Sequence, residues 1–326
     1  MRVIVHIGTG KAGSTSIQRS FHQHRDTLLD HGILFPSDGE RPLDHRLLCE
    51  ALTAPNPSPR AQAVVRNIGA AVETHRPDTL LLSSEFICYR TARAAHLHSV
   101  LGSYSDDLRI LMYLREPIGY YRSQVQQQLK AQPWLTPPSE WCPRYVEMVS
   151  AWEREFRDAL SVVAFQKSDL HRGSVVDDVA HRYFPQVLQK GSLDVGESNV
   201  SEPAEVTALV QNYISVNYPA RERVFRKDVK QLRETLTRIA SGEGIGTRAV
   251  LRDTVLRTIL ARVGPELTEL KKAYGIAFEA IDYSALPVDV PASEFSQAAT
   301  FADLCSVDPA VSERLINLML AELIGA

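Results

Sequence analysis

The sequence has little cysteine and no long apolar run, and each shortage excludes a class of protein. Its four cysteines lie far apart and form no C-x-x-C pair; they are Cys49, Cys88, Cys142 and Cys305. We therefore expect no zinc site and no disulfide framework, and a reducing compartment, the cytoplasm, suits such a chain. No apolar run approaches the roughly 20 residues of a transmembrane helix, so we expect no membrane span.

Net charge is also small, at −3 for 326 residues. Such a chain has no overall attraction to nucleic acid, which we do not expect as a partner. Any anion must therefore be bound by a local group of residues. The chain enters a β-rich run at Val3, so we expect no signal peptide, and it contains no internal repeat.

Short, nearly continuous apolar runs are present, as is typical of strands that are buried on both faces of a parallel sheet. They cover residues 3–7, 79–83, 109–114 and 161–165, with a shorter fifth run at 33–35. Helical patterns lie between them, at 14–29 and 61–74. The alternation predicts a three-layer α/β domain around a central parallel sheet, with ligands beyond the carboxyl ends of the strands.

The C-terminal part of the chain is predicted to be mainly helical. Helical patterns fill residues 202–285 and are interrupted by the glycine-rich stretch 241–246. A proline-rich link and a last amphipathic pattern at 309–323 follow. The sequence thus predicts a main domain over residues 1–285, and a C-terminal linker and helix over residues 286–326.

A glycine-rich stretch directly follows the first predicted strand and directly precedes a helical pattern. Residues 8–15 read Gly-Thr-Gly-Lys-Ala-Gly-Ser-Thr. Glycine lets the backbone turn sharply and approach a ligand, and a helix N-terminus offers unpaired N–H groups to an anion. Lys11 adds a charge, and Ser14 and Thr15 add hydroxyl donors. The stretch predicts a phosphate-binding loop; taken alone, a capped glycine turn is the alternative.

The nearest rival motif is the Walker A loop, G-x-x-x-x-G-K-[ST]. Gly8 and Gly13 have its spacing, but Ser14 stands where the lysine is required. A magnesium-dependent kinase also needs an acidic residue to hold the metal, and the run at 79–83 leads into Ser-Glu with no aspartate. These departures disfavour a P-loop kinase that uses ATP and magnesium. That kinase and a non-catalytic nucleotide-binding protein remain the alternatives.

The stretch from His6 to Gln18 resembles the 5′-phosphosulfate loop of sulfotransferases that use 3′-phosphoadenosine 5′-phosphosulfate (PAPS), in particular bacterial, carbohydrate-type members. The usual form of that loop is Lys-x-Gly-Thr-Thr, and here a serine replaces the first threonine. The resemblance implies a P-loop-like fold related to nucleotide kinases, and a reaction that needs no metal. It also implies a 5′-phosphosulfate site made by Gly10, Lys11, Ala12, Gly13, Ser14, Thr15 and Ser16.

A second motif, Arg115-Glu116-Pro117, follows the apolar run at 109–114. A guanidinium at a strand end can pair with two phosphate oxygens, and Pro117 suits the first turn of a helix. Ser123 comes eight residues after Arg115. In the resembled family this pattern binds the 3′-phosphate of the nucleotide, which ATP lacks. A salt-bridged arginine at a strand end is the alternative explanation.

Sulfuryl transfer to a hydroxyl needs a base near the reaction centre. Glu85 follows the run at 79–83, and the resemblance favours it because a histidine or a glutamate is the base in family members. The alternative for Glu85 is a cap or an ion pair with an arginine such as Arg90, Arg115 or Arg122. His45, in the segment after the first helix, is the other candidate base, and a lone histidine in a loop is usually solvated.

By this resemblance, the chain is expected to move a sulfuryl group from PAPS to a hydroxyl or amine of a carbohydrate or small-molecule acceptor. The second product is 3′-phosphoadenosine 5′-phosphate (PAP). Lys11 is expected to stabilise the leaving phosphate, and Glu85 or His45 to accept the acceptor's proton. No stretch matches the glycine-rich Arg-Lys-Gly segment of cytosolic phenol and steroid sulfotransferases, which points away from that subgroup.

Overall fold

The apolar runs of the sequence form a parallel sheet in the computed structural model, which describes residues 1–38, 41–43, 45–196, 202–220, 222–287 and 300–325. The strands are β1 (Arg2–His6), β2 (Ile33–Leu34), β3 (Ser37–Asp38), β4 (Arg41–Pro42), β5 (Thr79–Ser83), β6 (Leu108–Arg115) and β7 (Leu160–Phe165). Strands β3 and β4 form a separate antiparallel pair. The other five form a sheet in the order β2-β5-β1-β6-β7, in which every pairing is parallel.

Helices separate the strands of the sheet, which confirms the predicted α/β class. They are α1 (Ser14–Gln23), α2 (Arg25–Asp30), α3 (His45–Thr53), α4 (Pro59–His75), α5 (Ala94–Gly102), α6 (Pro117–Gln128), α7 (Tyr145–Phe156), α8 (Val175–Tyr183), α9 (Ala204–Asn217), α10 (Lys227–Glu243), α11 (Asp253–Tyr274), α12 (Phe301–Leu304) and α13 (Pro309–Gly325).

One predicted helix is divided. The pattern at 14–29 predicts a single helix, but the structure ends α1 at Gln23 and begins α2 at Arg25. His24 between them has φ −98° and ψ 14°, outside the helical region. Ile17 and Phe21 on α1 and Leu28 on α2 are all fully buried. The apolar periodicity is therefore correct, whereas the continuity of the helix is not.

The chain divides into two compact units, and each is assembled from separate stretches. The first comprises Met1–Glu116, Arg144–Glu197 and Glu266–Ile281, and it holds the sheet. The second comprises Pro117–Pro143, Ser198–Pro265 and Asp282–Ala326. Residues 288–299, which belong to the predicted linker, lie outside the described residues.

In the first unit, strand β1 lies at the centre of the sheet. Its Val3, Ile4 and Val5 are all fully buried, although neighbouring side chains point to opposite faces. Both faces are therefore covered, an arrangement consistent with three layers. On one face, α1 and α8 pack against the sheet through residues such as Phe21 and Val176.

The register of the sheet sets where the loops leave it. His6, the last residue of β1, pairs with Ser83 of β5 and Leu111 of β6. From β1 the chain continues first to β2 and β5 on one side and then to β6 and β7 on the other. Doubly wound sheets bind ligands at such a switch point, beyond the carboxyl ends of the strands. The loops after β1 and β5 and the end of β6 contact one another at this edge.

The second unit is mainly helical. Its apolar core joins α9, α10 and α13 through side chains such as Val210, Leu236 and Leu315. Helix α10 ends at Glu243 because Gly244 takes the left-handed conformation, with φ 62°, inside the predicted interruption. No helix in the described part of the chain is long and apolar enough to cross a membrane.

A buried glutamate, Glu205 at the start of α9, links three parts of the second unit. Its Oε2 accepts a hydrogen bond from the Thr247 backbone N–H at 2.9 Å. Its Oε1 accepts from the Thr247 hydroxyl at 2.6 Å and from the Asp308 N–H at 3.1 Å. The side chain is fully buried. If one of these hydrogen bonds is lost, no water can replace it, and the donor stays unpaired.

We expect Glu205→Gln to lower the free energy of unfolding by about 1–3 kcal/mol, because the amide presents N–H groups to a donor and leaves it unpaired. Urea denaturation measures the loss. Glu313→Gln, at an exposed position on α13, is the matched control and should be neutral. Equal stability of the two variants contradicts the role assigned to Glu205.

Candidate functional site

The loop between β1 and α1 turns through left-handed backbone positions. Lys11 has φ 69° and Gly13 has φ 79°. A Cβ at Gly13 would lie 2.7 Å from Val175 Cγ1 and 2.9 Å from the Phe165 ring, so the position requires glycine. Gly13 is also the N-cap of α1. Because a glycine cap has no side chain, it leaves the first N–H groups of α1 uncapped, as anion sites require.

The glycine loop, residues 8–13, is held against strand β6. The Thr9 backbone N–H and hydroxyl both donate to the Tyr113 carbonyl, each at 2.9 Å. Thr9 is fully buried, and so is Ala12. The loop is therefore fixed by its buried residues, and the half-buried Gly10 and Lys11 lie at its surface.

Arg115, at the end of β6, is brought to this loop. Its guanidinium donates to the Lys11 carbonyl at 2.5 Å, and its own carbonyl accepts from the Tyr145 hydroxyl. Lys11 and Arg115, two cationic residues that are 104 positions apart in the sequence, are thus neighbours in the structure. Their charges offer favourable interactions to an anion at the edge of the sheet.

The hydroxyl residues predicted for the site differ in exposure. Ser14, the first residue of α1, is buried, whereas Thr15 is exposed and Ser16 is half-buried. Ser123 is half-buried on α6, in the second unit. Pro117 begins α6, as predicted from the Arg-Glu-Pro motif.

Glu85 lies in the loop after β5 and is half-buried. Its Oε2 accepts a hydrogen bond from Gln18 Nε2 at 3.1 Å. The same amide nitrogen lies 3.3 Å from the Ser83 hydroxyl. Helix α1, which begins at the glycine loop, therefore also orients the carboxylate of Glu85.

The sequence predicts that His45 lies in a solvated loop. In the structure it is instead the half-buried first residue of α3. Its Nδ1 lies 2.8 Å from the Ser83 carbonyl, and the Ser84 hydroxyl donates to the His45 carbonyl at 2.7 Å. These two bonds to the end of β5 override the expected exposure. A carbonyl can only accept, so we assign the proton to Nδ1, which leaves Nε2 as the basic nitrogen.

A buried series of hydrogen-bonded polar side chains, which the sequence did not predict, lies beneath these two candidate bases. His6 is fully buried, and its Nδ1 lies 2.9 Å from the Ser83 hydroxyl. Hydrogen bonds thus connect His6 to Ser83, Ser83 to Gln18, and Gln18 to Glu85. The one available signal was that two adjacent apolar strands, β1 and β5, each end in a polar residue.

Burial, and after it the nearby His45, lowers the pKa of His6 from 6.5 to about 3. The imidazole is therefore neutral in the folded protein at neutral pH. Its Nε2 has no hydrogen-bond partner among the residues that the structure describes. A Cβ at Gly8 would lie 2.4 Å from this nitrogen, so glycine is needed there to make room for the ring.

The site therefore gathers Lys11, Arg115, Glu85 and His45 around the ends of three adjacent strands. Among the described residues, no group of three or more His, Cys, Asp or Glu side chains is placed to hold a metal. Comparison of the chain with protein-family models, curated proteins and solved structures finds no match.

The low pKa of His6 predicts a loss of stability in acid. Between pH 6.5 and about 3 the unfolded chain binds a proton that the folded protein excludes, so stability falls as the pH decreases below 6.5. We expect His6→Asn, which does not titrate, to lose about 2 kcal/mol less than the parent between pH 6.5 and about pH 4.5.

Urea denaturation at several pH values measures this difference. His75→Asn, the same substitution at an exposed position at the end of α4, is the matched control and is measured in the same way. A parent and a His6→Asn variant with parallel pH dependences would contradict the assignment.

Proposed function

We propose that this protein is a sulfotransferase that transfers a sulfuryl group from PAPS to a hydroxyl or amine of a carbohydrate or small-molecule acceptor. One observation carries the proposal: the glycine loop and Arg115 are two cationic elements at adjacent strand ends, joined by the hydrogen bond from Arg115 to the Lys11 carbonyl. PAPS bears anionic groups on both its 5′ and its 3′ carbons. ATP bears its phosphates on one carbon only.

The glycine loop fits the 5′-phosphosulfate. A phosphate there accepts hydrogen bonds from the N–H groups at the start of α1 and interacts favourably with the positive end of the helix dipole. Lys11 adds the full charge that a helix terminus lacks. The sequence resemblance assigns the same residues to the same group, and it assigns the 3′-phosphate to Arg115 and Ser123.

In the proposed reaction the acceptor oxygen or nitrogen attacks sulfur as the bond from sulfur to the bridging oxygen breaks. The electron pair of that bond passes to the 5′-phosphate, and PAP leaves. Lys11 stabilises the charge that develops on the bridging oxygen, and this fixed charge needs no reorganisation during the reaction. The two elements together orient the nucleotide for in-line transfer.

The acceptor's proton passes to Glu85 in this proposal, with His45 as the competing base. The Glu85 carboxylate is oriented by Gln18. Glu85 comes after β5, the strand that pairs with β1, from which the glycine loop leaves. His45 has a suitable tautomer, because its Nδ1 donates to the Ser83 carbonyl and its Nε2 can accept a proton. The two side chains flank the end of β5, so mutation separates their roles.

A site for PAPS should distinguish nucleotides by their 3′-phosphate. We expect PAP to raise the thermal midpoint more than AMP, or than ATP with magnesium, at equal concentrations. Arg115→Ala should weaken PAP binding by about one to two decades, because it removes a charge-assisted hydrogen bond worth roughly 1.5–3 kcal/mol. The affinity for AMP should change little, because AMP lacks the 3′-phosphate.

Calorimetric titration of both nucleotides measures these affinities. Arg109→Ala, on the same strand but in an ion pair with Asp107, is the matched control. If AMP and PAP affinities fall equally in Arg115→Ala, the arginine only supports the loop through Lys11. If ATP with magnesium stabilises the parent most, the kinase alternative replaces the proposed function.

The two candidate bases can be distinguished by their effects on turnover. We expect Glu85→Gln to lower kcat by roughly 10²–10⁴-fold while PAP affinity stays within a few-fold of the parent, because glutamine keeps the shape but accepts no proton. Transfer of labelled sulfuryl from PAPS to a panel of carbohydrate acceptors provides the assay. His45→Asn is measured alongside it. A nearly normal Glu85→Gln together with an inactive His45→Asn moves the role to His45.

A further inference from the structure

Tyr89 is an exposed tyrosine whose hydroxyl reaches the glycine loop. The side chain is 47% exposed, and its oxygen accepts a hydrogen bond from the Gly10 backbone N–H at 2.9 Å. A Cβ at Gly10 would lie 3.0 Å from that oxygen, a tight contact, so the absence of a side chain at Gly10 favours this close approach. The phenol oxygen therefore lies at the surface of the loop that the proposed function assigns to the phosphosulfate.

The backbone that carries Tyr89 is firmly anchored. Ile87 and Cys88, the two preceding residues, are fully buried. The Cys88 carbonyl accepts from Trp152 Nε1 at 3.0 Å, and the Ile87 N–H donates to the Ser84 carbonyl at 3.2 Å. An exposed side chain on a buried, hydrogen-bonded backbone is held at a defined place, as a functional group requires.

The chemistry of a phenol suits a group that contacts a bound anion. A tyrosine hydroxyl accepts hydrogen bonds through its oxygen and donates one through its proton. The bond from Gly10 orients the oxygen beside the loop, within reach of an anion held there. A neutral donor adds a hydrogen bond to such an anion without adding to the charges of Lys11 and Arg115.

We propose that Tyr89 is a further catalytic residue, whose hydroxyl donates a hydrogen bond to an oxygen of the sulfuryl group during transfer. This inference rests on the proposed function. As the bond from the acceptor to sulfur forms and the bond to the bridging oxygen breaks, the sulfuryl oxygens carry negative charge. The electron pair of the broken bond goes to the 5′-phosphate of PAP, and the acceptor's proton goes to the base. A donor at a sulfuryl oxygen stabilises this state.

The assignment predicts a selective effect, because PAP has lost the sulfuryl group. An interaction with the sulfuryl oxygens affects PAPS and the transition state, but not the binding of PAP. A residue that only supports the loop affects both nucleotides. The difference between PAPS and PAP therefore separates a catalytic contact from a structural one.

The test compares the parent with Tyr89→Phe, which keeps the ring and removes the hydroxyl. We expect kcat for sulfuryl transfer, measured as labelled sulfate released from PAPS to water and as product on carbohydrate acceptors, to fall about 10–100-fold. PAP affinity, measured by calorimetric titration, should stay within about twofold of the parent, as a group that does not touch PAP requires. Tyr104→Phe, at another exposed tyrosine of the same unit, is the matched control and should match the parent in both measurements.

Each alternative outcome has a distinct meaning. Tyr89→Phe with parental kcat overturns the inference and leaves the proposed function intact, and so does a loss of PAP affinity as large as the loss of kcat. A parent that transfers no sulfuryl group and binds neither PAPS nor PAP overturns the proposed function itself. The thermal midpoint of Tyr89→Phe shows whether the variant is folded. If it is not, Tyr89→Trp, which keeps an aromatic ring but cannot place an oxygen there, is measured in the same way.

Discussion

The parallel pairing of β1 with β5 on one side and β6 on the other is the constraint on which the site depends. Because the three strands run in one direction, the residues that follow them leave the sheet at the same edge. Lys11, Glu85 and Arg115 are far apart in sequence, yet Lys11 and Glu85 follow the ends of β1 and β5, and Arg115 is the last residue of β6. With a net charge of −3, the chain as a whole does not attract an anion. The attraction must come from cations such as Lys11 and Arg115, which lie together at this edge.

Beneath that edge, a buried polar chain connects the strands to the reactive side chains. His6 and Ser83 close β1 and β5, and Gln18 extends the chain to Glu85. Hydrogen bonds are stronger in such a buried environment, and an unpaired polar group is costlier. The Nε2 of the neutral His6, which has no partner in the described part of the chain, is therefore a local instability under the site. Gly8 beside it and Gly13 at the start of α1 both require the absence of a side chain.

Several features of the structure follow from local sequence alone and are therefore predictable from it. The continuous apolar runs at 79–83 and 109–114 are strands because they are buried on both faces, and the structure moves their ends by at most one residue. The glycine loop before a helix and Pro117 at the start of α6 are also local features. Glycine widens and proline restricts the backbone conformations at its own position.

The sequence by itself determined the strands, the class of the fold and the glycine loop. Only the tertiary structure decided which polar side chains meet there. His45 begins a helix and bonds to Ser83, Tyr89 reaches Gly10 across 79 positions of the chain, and Gln18 turns toward Glu85. The physical reason is the range of the interactions. Strand burial and glycine geometry act at or near one residue, whereas these hydrogen bonds exist only because parallel pairing aligns the ends of β1, β5 and β6.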